Sequence, residues 1–198
     1  MLIQNNFIKF EMCEMNPLLQ KRFDALETSR HSLCTILDSL NVEEIRFQPQ
    51  DGKWSIVEVL QHVIWAEEGA YRYMMKKNQA ESLPKAGIGA SLRALTLKIA
   101  LKLPIKYQAP EQAATPDPAA AYAEIKSKWE DARKNLQAFL DALPPERLDV
   151  VIFRHPFAGY FNIHHTLTFF EEHFQHHLLQ IERIRKSFEA GAEISNSN

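Results

Sequence analysis

The chain has 198 residues, 45% of them hydrophobic and 24% charged, with a formal net charge of −2. That is enough apolar material for one globular core, and the near-balanced charge offers nucleic acid no electrostatic footprint. The two cysteines, Cys13 and Cys34, make neither a CxxC pair nor a zinc-ribbon spacing, so a reduced, cytoplasmic setting is expected.

The opening MLIQNNFIKFEM lacks the basic start and unbroken apolar run of a signal peptide. The stretch LTLKIALKLPI is interrupted by Lys98 and Lys102 and is far shorter than the about 20 apolar residues a bilayer span needs. Glycine is scarce, and no Asn-Gly or Asp-Gly turn sits between alternating apolar residues, which predicts an all-α chain punctuated by proline.

A first helix is predicted from Pro17 to Leu40, with Pro17 in its first turn and an apolar stripe of Leu19, Phe23, Leu26, Leu33, Ile36 and Leu37. A second starts at Ser55, where SIVE reads as a capping box closed by Glu58, and ends near Asn78. Its buried face holds Val59, His62, Val63, Ala66 and Ala70. Residues Gln79 to Pro116 then form a connection much longer than an antiparallel turn requires. Within it, Leu92, Leu95, Ile99 and Leu103 line one helical face and Lys98, Lys102 and Lys106 another. A short amphipathic helix covering the bundle is expected there, and a membrane is not expected as a partner. A third long helix is predicted with Asp117 as N-cap and Pro118 as first residue, ending at Leu143 before Pro144 and Pro145. A fourth runs from Asn162, its N-cap, to Ser187. The predicted architecture is a four-helix bundle with one long crossover between helices two and three, a single domain over residues 1–190, and a flexible tail over 191–198.

Six of the eight histidines fall between His155 and His177. On the fourth helix, Thr166, Phe170, His173, His177, Gln180, Ile181 and Ile184 share one inward stripe, so His173 and His177 stack one turn apart. His176 lies about 100° around the helix from His177 and is assigned to the flank. His164 and His165 are assigned to the first turn. His62 supplies a third imidazole from the buried face of the second helix. Three histidines from two helices can hold one ion and leave positions open for water or substrate. Imidazole suits zinc, nickel, copper or iron, and the absence of a carboxylate favours zinc or nickel. The same spacing also fits hydrogen-bonded core histidines or a solvated helix face.

Several alternatives fail on sequence. Phe174 follows His173, so the pair is not HExxH. Val59, Phe170 and Phe174 stand three residues before the three histidines, where a dimetal carboxylate bundle would carry glutamate. GIGAS, Gly87 to Ser91, is preceded by no strand and reads as a turn rather than a phosphate loop.

DGKWSIVEVLQHVIWAE (Asp51 to Glu67) and RHPFAGYFNIHHTLTFFEEHFQHHLLQI (Arg154 to Ile181) resemble the two motifs of the DinB/YfiT-like superfamily of metal-dependent enzymes. The resemblance is carried first by Trp54, Ser55 and His62. It is carried next by the His155-Pro156-x-x-Gly159 loop, and then by His173, His177 and Gln180. It implies a bundle with one metal held by His62, His173 and His177, often in a homodimer. It also implies a small-molecule substrate, with hydrolases and enzymes using a low-molecular-weight thiol as the expected activities. On that reading the metal acidifies a bound water or thiol, Trp54 and the His155–Gly159 loop are candidate pocket walls, Gln180 orients His177, and His155 is a candidate general base. The competing expectation is a non-catalytic dimeric binding or stress-associated bundle with a structural or absent metal.

Overall fold

The computed structural model describes residues 15–50, 52–102 and 115–196. The elements run α1 (Pro17–Leu37), α2 (Val42–Arg46), α3 (Ile56–Asn78), α4 (Ile88–Lys102), α5 (Tyr122–Asp141), a 3-10 turn (Pro145–Arg147), β1 (Phe153–His155), β2 (Gly159–Phe161) and α6 (Ile163–Asn196). The long helices α1, α3, α5 and α6 form a four-helix bundle.

Helix α1 begins where Asn16 Oδ1 accepts from the Leu18 and Leu19 amides, with Pro17 next to the cap. Leu19, Phe23, Leu26, Leu33 and Leu37 are buried, whereas Ile36 is exposed. The helix stops at Leu37, not Leu40, because Asn41 accepts from the Glu44 amide at 2.9 Å and starts the separate turn α2. Helix α3 carries the expected capping box. Ser55 Oγ accepts from the Glu58 amide, and Glu58 Oε2 accepts from the Ser55 amide at 2.9 Å. Its first half is apolar nearly all round, with Ile56, Val57, Val59, Leu60, Val63 and Ile64 buried, as befits a helix packed against α2, α5 and α6.

Helix α4 sits in the connection between α3 and α5 and packs on α6 and β2. The apolar row named from the sequence is the outward one. Ala90, Ala94, Leu97 and Leu101 face inward, while Leu92, Leu95 and Ile99 face out; Leu103 and Lys106 lie outside the described residues. The helix has two opposite apolar rows, and the one with small residues allows the closer approach to α6. Lys98 pairs with Glu172, and the His176 ring bonds the Leu101 carbonyl at 2.8 Å, tying this register to α6.

Helix α5 starts at Tyr122, with Ala121 at the cap and no side-chain capping bond. Asp117 does not cap it. Its side chain accepts from the Ala119 amide, and Gln61 of α3 bonds both its carbonyl, at 2.8 Å, and its amide, at 3.0 Å. That clamp holds Asp117 in a separate turn, so Pro118 does not open the helix. The helix ends at Asp141, two residues before the expected Leu143.

The antiparallel pair β1–β2 was not expected from an all-helical pattern. Its turn is closed by a side chain instead of an Asn-Gly pair. His155 Nδ1 accepts from the Phe157 amide at 3.2 Å and the Ala158 amide at 3.0 Å, and Gly159 takes φ +78°. Asn162 then caps α6 by accepting from the His165 amide at 2.9 Å. The helix continues through Gly191 to Asn196, past the expected end at Ser187, with no proline to stop it.

Two apolar clusters make the core. One joins the first half of α1, the second halves of α3 and α5, the hairpin and the first two turns of α6. The other joins the end of α1, α2, the first halves of α3 and α5, and the middle of α6. Between helices lies a polar knot with no periodic sequence signal. Glu67 of α3 accepts from Arg133 Nη2 at 2.7 Å and from Trp129 Nε1 at 3.2 Å, all three fully buried. Burial pushes the Glu67 carboxyl above its usual range, against the pull of Arg133. Among the described residues no helix is long and apolar enough to cross a membrane.

Candidate metal centre

The capping box fixes where α3 begins and therefore the rotation at which His62 leaves it. His62 points at α6, where His173 and His177 stack one turn apart. The ring centroids of His62 lie 5.3 Å from His173 and 4.9 Å from His177, and the last two are 4.5 Å apart. One ring nitrogen from each lies within 4.8 Å of the others. His173 and His177 are buried, and half-buried His62 carries the exposed edge of the cluster. Among the described residues, this is the group of histidine, cysteine or carboxylate side chains whose geometry could hold an ion, and no carboxylate belongs to it.

Two details of the rings bear on chemistry. His177 Nδ1 donates to Gln180 Oε1 at 2.9 Å, leaving the lone pair on Nε2, and that Nε2 lies 3.1 Å from Nε2 of His173. All three imidazoles are also held neutral. Burial, reinforced by His177 and His62, puts His173 well below the ordinary histidine range. Burial and the neighbouring His62 take His177 down to about 3, and burial lowers His62. With nothing between them, His173 donates its Nε2 proton to the His177 lone pair across 3.1 Å; once that proton moves to Nδ1, both Nε2 lone pairs face one partner. A cation is the partner that such a donor set fits.

The surroundings sort the other predicted residues. The Trp54 ring lies 5.2 Å from His62, forming a wall at its open side. Phe169, which the sequence did not single out, covers His173 at 5.3 Å and meets His155 edge-on at 4.6 Å. The inward stripe read from the sequence named its neighbour Phe170 and passed over Phe169. His155 is buried, and burial takes it down to about 4. Because its Nδ1 accepts two backbone amides, its proton sits on Nε2, and in that form the ring offers a donor rather than a base. Glu58 acts as the cap and also accepts from Gln48. His176 turns to α4, and His165 faces Ser91 Oγ at 3.1 Å, so neither joins the cluster. His164 and His165 occupy the first turn of α6, as expected.

Comparison with known proteins agrees with this architecture. In structure, the chain is similar to YfiT from Bacillus subtilis, described as a probable metal-dependent hydrolase with an unusual four-helix bundle topology. The match has 16% identity and a TM-score of 0.57, and covers 86% of this chain and 87% of that one. It is also similar to a conserved protein from Enterococcus faecalis, with 17% identity and a TM-score of 0.51, over 85% of this chain and 95% of that one. At these identities the likeness is one of fold. No curated protein matches the sequence. The family model of the DinB superfamily matches residues 25–181, which spans α3, α5, the hairpin and all three clustered histidines, and the chain belongs to that superfamily.

Proposed function

We propose that this protein is a metal-dependent enzyme acting on a small molecule, with His62, His173 and His177 as the ligands of one zinc or nickel ion and hydrolysis as the leading reaction. The observation that carries the reading is the convergence of three neutral imidazoles from two helices with no carboxylate among them. The description of YfiT as a probable metal-dependent hydrolase supports the choice of reaction.

A divalent ion held by three neutral ligands keeps its full charge and, when bound, acidifies a water or thiol beside it. The protein's own groups prepare for this. Gln180 fixes the His177 ring so that Nε2 faces inward. Trp54 and Phe169 wall the two outer rings and limit water. His155 presents Nε2–H, which suits it to hold an anionic or carbonyl oxygen of substrate in place of accepting a proton. Thiol-dependent S-transfer is the second reading. The lack of a ligand carboxylate favours an anionic partner, and a thiolate meets that requirement as well as hydroxide does.

The test is elemental analysis of protein purified without an affinity tag, followed by turnover of ester, amide and electrophile-plus-thiol panels. The expected result is one ion per chain, lost in His62→Ala and in His173→Ala while the fold is kept, with turnover lost in parallel. Protein that takes up no ion even when supplied with zinc or nickel overturns the reading. An ion closed off by a fourth protein ligand, with no turnover, favours a structural metal in a non-catalytic bundle.

A further inference from the structure

We propose that the outer face of α4, together with the β1–β2 hairpin, docks on an anionic lipid surface. A helix that only covers a bundle should turn its large apolar side chains inward. Here Ile88, Leu92, Leu95 and Ile99 form an outward row at spacings of four, three and four, each 54% to 83% exposed. The inward row of Ala90, Ala94, Leu97 and Leu101 already accounts for the contact with α6. The hairpin beneath α4 adds Phe157, 70% exposed, and Tyr160, 50% exposed. The two elements touch, because Arg93 lays its side chain against Gly159. Half of the large exposed apolar side chains among the described residues therefore belong to this one pair of elements. A concentration of that kind marks an interaction surface.

Charge selects the occupant. Residues 82–101 and 150–170 contain no aspartate or glutamate, yet hold Lys85, Arg93, Lys98 and Arg154, in a chain whose net charge is −2. Glu172, the nearest carboxylate from α6, is paired with Lys98. Arg22 adds a further cation at the junction of α1, α4 and α6. An apolar row flanked by Lys85, Arg93 and Arg154, with the carboxylates Glu171 and Glu172 confined to the Lys98 edge, is a pattern that inserts among acyl chains while its rim meets anionic headgroups. A second copy fits less well, since a two-fold contact would press each basic rim against its twin. The helix is too short and too polar to span the bilayer, so contact stays at the interface.

Co-sedimentation of the full chain with vesicles tests this. Expected is binding to mixed phosphatidylcholine and phosphatidylglycerol vesicles at low salt, weakened by salt and absent on pure phosphatidylcholine. Leu92→Gln combined with Leu95→Gln and Ile99→Gln should lower partitioning by about tenfold or more. Arg93→Gln with Lys85→Gln should lower it by about tenfold. These side chains are exposed, and an unchanged thermal unfolding profile confirms that the fold survives. No binding to the anionic vesicles overturns the proposal, as does equal binding to the neutral ones or equal binding by the triple variant. Self-association that the triple variant abolishes, without vesicle binding, assigns the face to a second copy instead.

Discussion

His177 donates from Nδ1 to the side-chain oxygen of Gln180, one helical turn away, at 2.9 Å. The bond fixes the tautomer as well as the ring angle, so the inward nitrogen always presents a lone pair. Gln180→Ala should therefore weaken metal binding by about 10- to 100-fold without unfolding the bundle. Competition with a chromogenic chelator measures this, and an unchanged affinity would return Gln180 to a surface role.

Metal binding to a folded site adds stability by mass action. In wild-type protein a strong chelator should lower the thermal midpoint by several degrees, by about 2 to 4 °C for each 1 kcal/mol lost in a domain of this size. In His173→Ala the chelator should have no effect, because the ion is already gone. A midpoint that never responds to chelator in either protein would remove the ion from the native structure.

The metal-free protein should lose stability in mild acid. Burial takes His155 from 6.5 to about 4 and, with help from His62, takes His177 to about 3. The folded pKa lies below the unfolded one, so the unfolded chain binds more protons at acid pH. Stability from these rings is complete above 6.5 and falls as the pH drops towards 4, by up to ~1.4 kcal/mol per pH unit for each histidine. Urea unfolding of metal-free protein across that range checks the slope. His155→Phe should flatten it.

The buried knot of Glu67, Arg133 and Trp129 should be costly to break from one side. Glu67→Ala leaves the Arg133 guanidinium buried without its main partner and should cost about 3 to 5 kcal/mol. Arg133→Met should cost less, because burial already raises the Glu67 carboxyl and its proton can replace the lost cation. Urea denaturation of both variants gives the comparison. Equal losses would mean that Glu67 keeps its charge.

What could be read from the chain was local or periodic. The SIVE box places the start of α3, and helical periodicity puts His62 on one buried face and His173 and His177 on another. That is why the three rings could be named before their contact was seen. Bundle architecture followed from helix lengths and the long connection. The hairpin escaped because its turn is held by the ring of His155, a bond between side chain and backbone that no dipeptide signal reports. Asp117 had the look of an N-cap, but Gln61, 56 residues away, claims its backbone first. In α4 the periodicity was legible and the orientation was not. Two opposite apolar rows satisfy the same helical repeat, and only contact with α6, through small Ala90 and Ala94 and the Lys98–Glu172 pair, chooses which one is buried. Residue order by itself determined the helices and the faces on which the histidines sit, because those depend on near neighbours. Tertiary structure alone decided which faces meet, because packing and partner competition act between residues far apart in the chain.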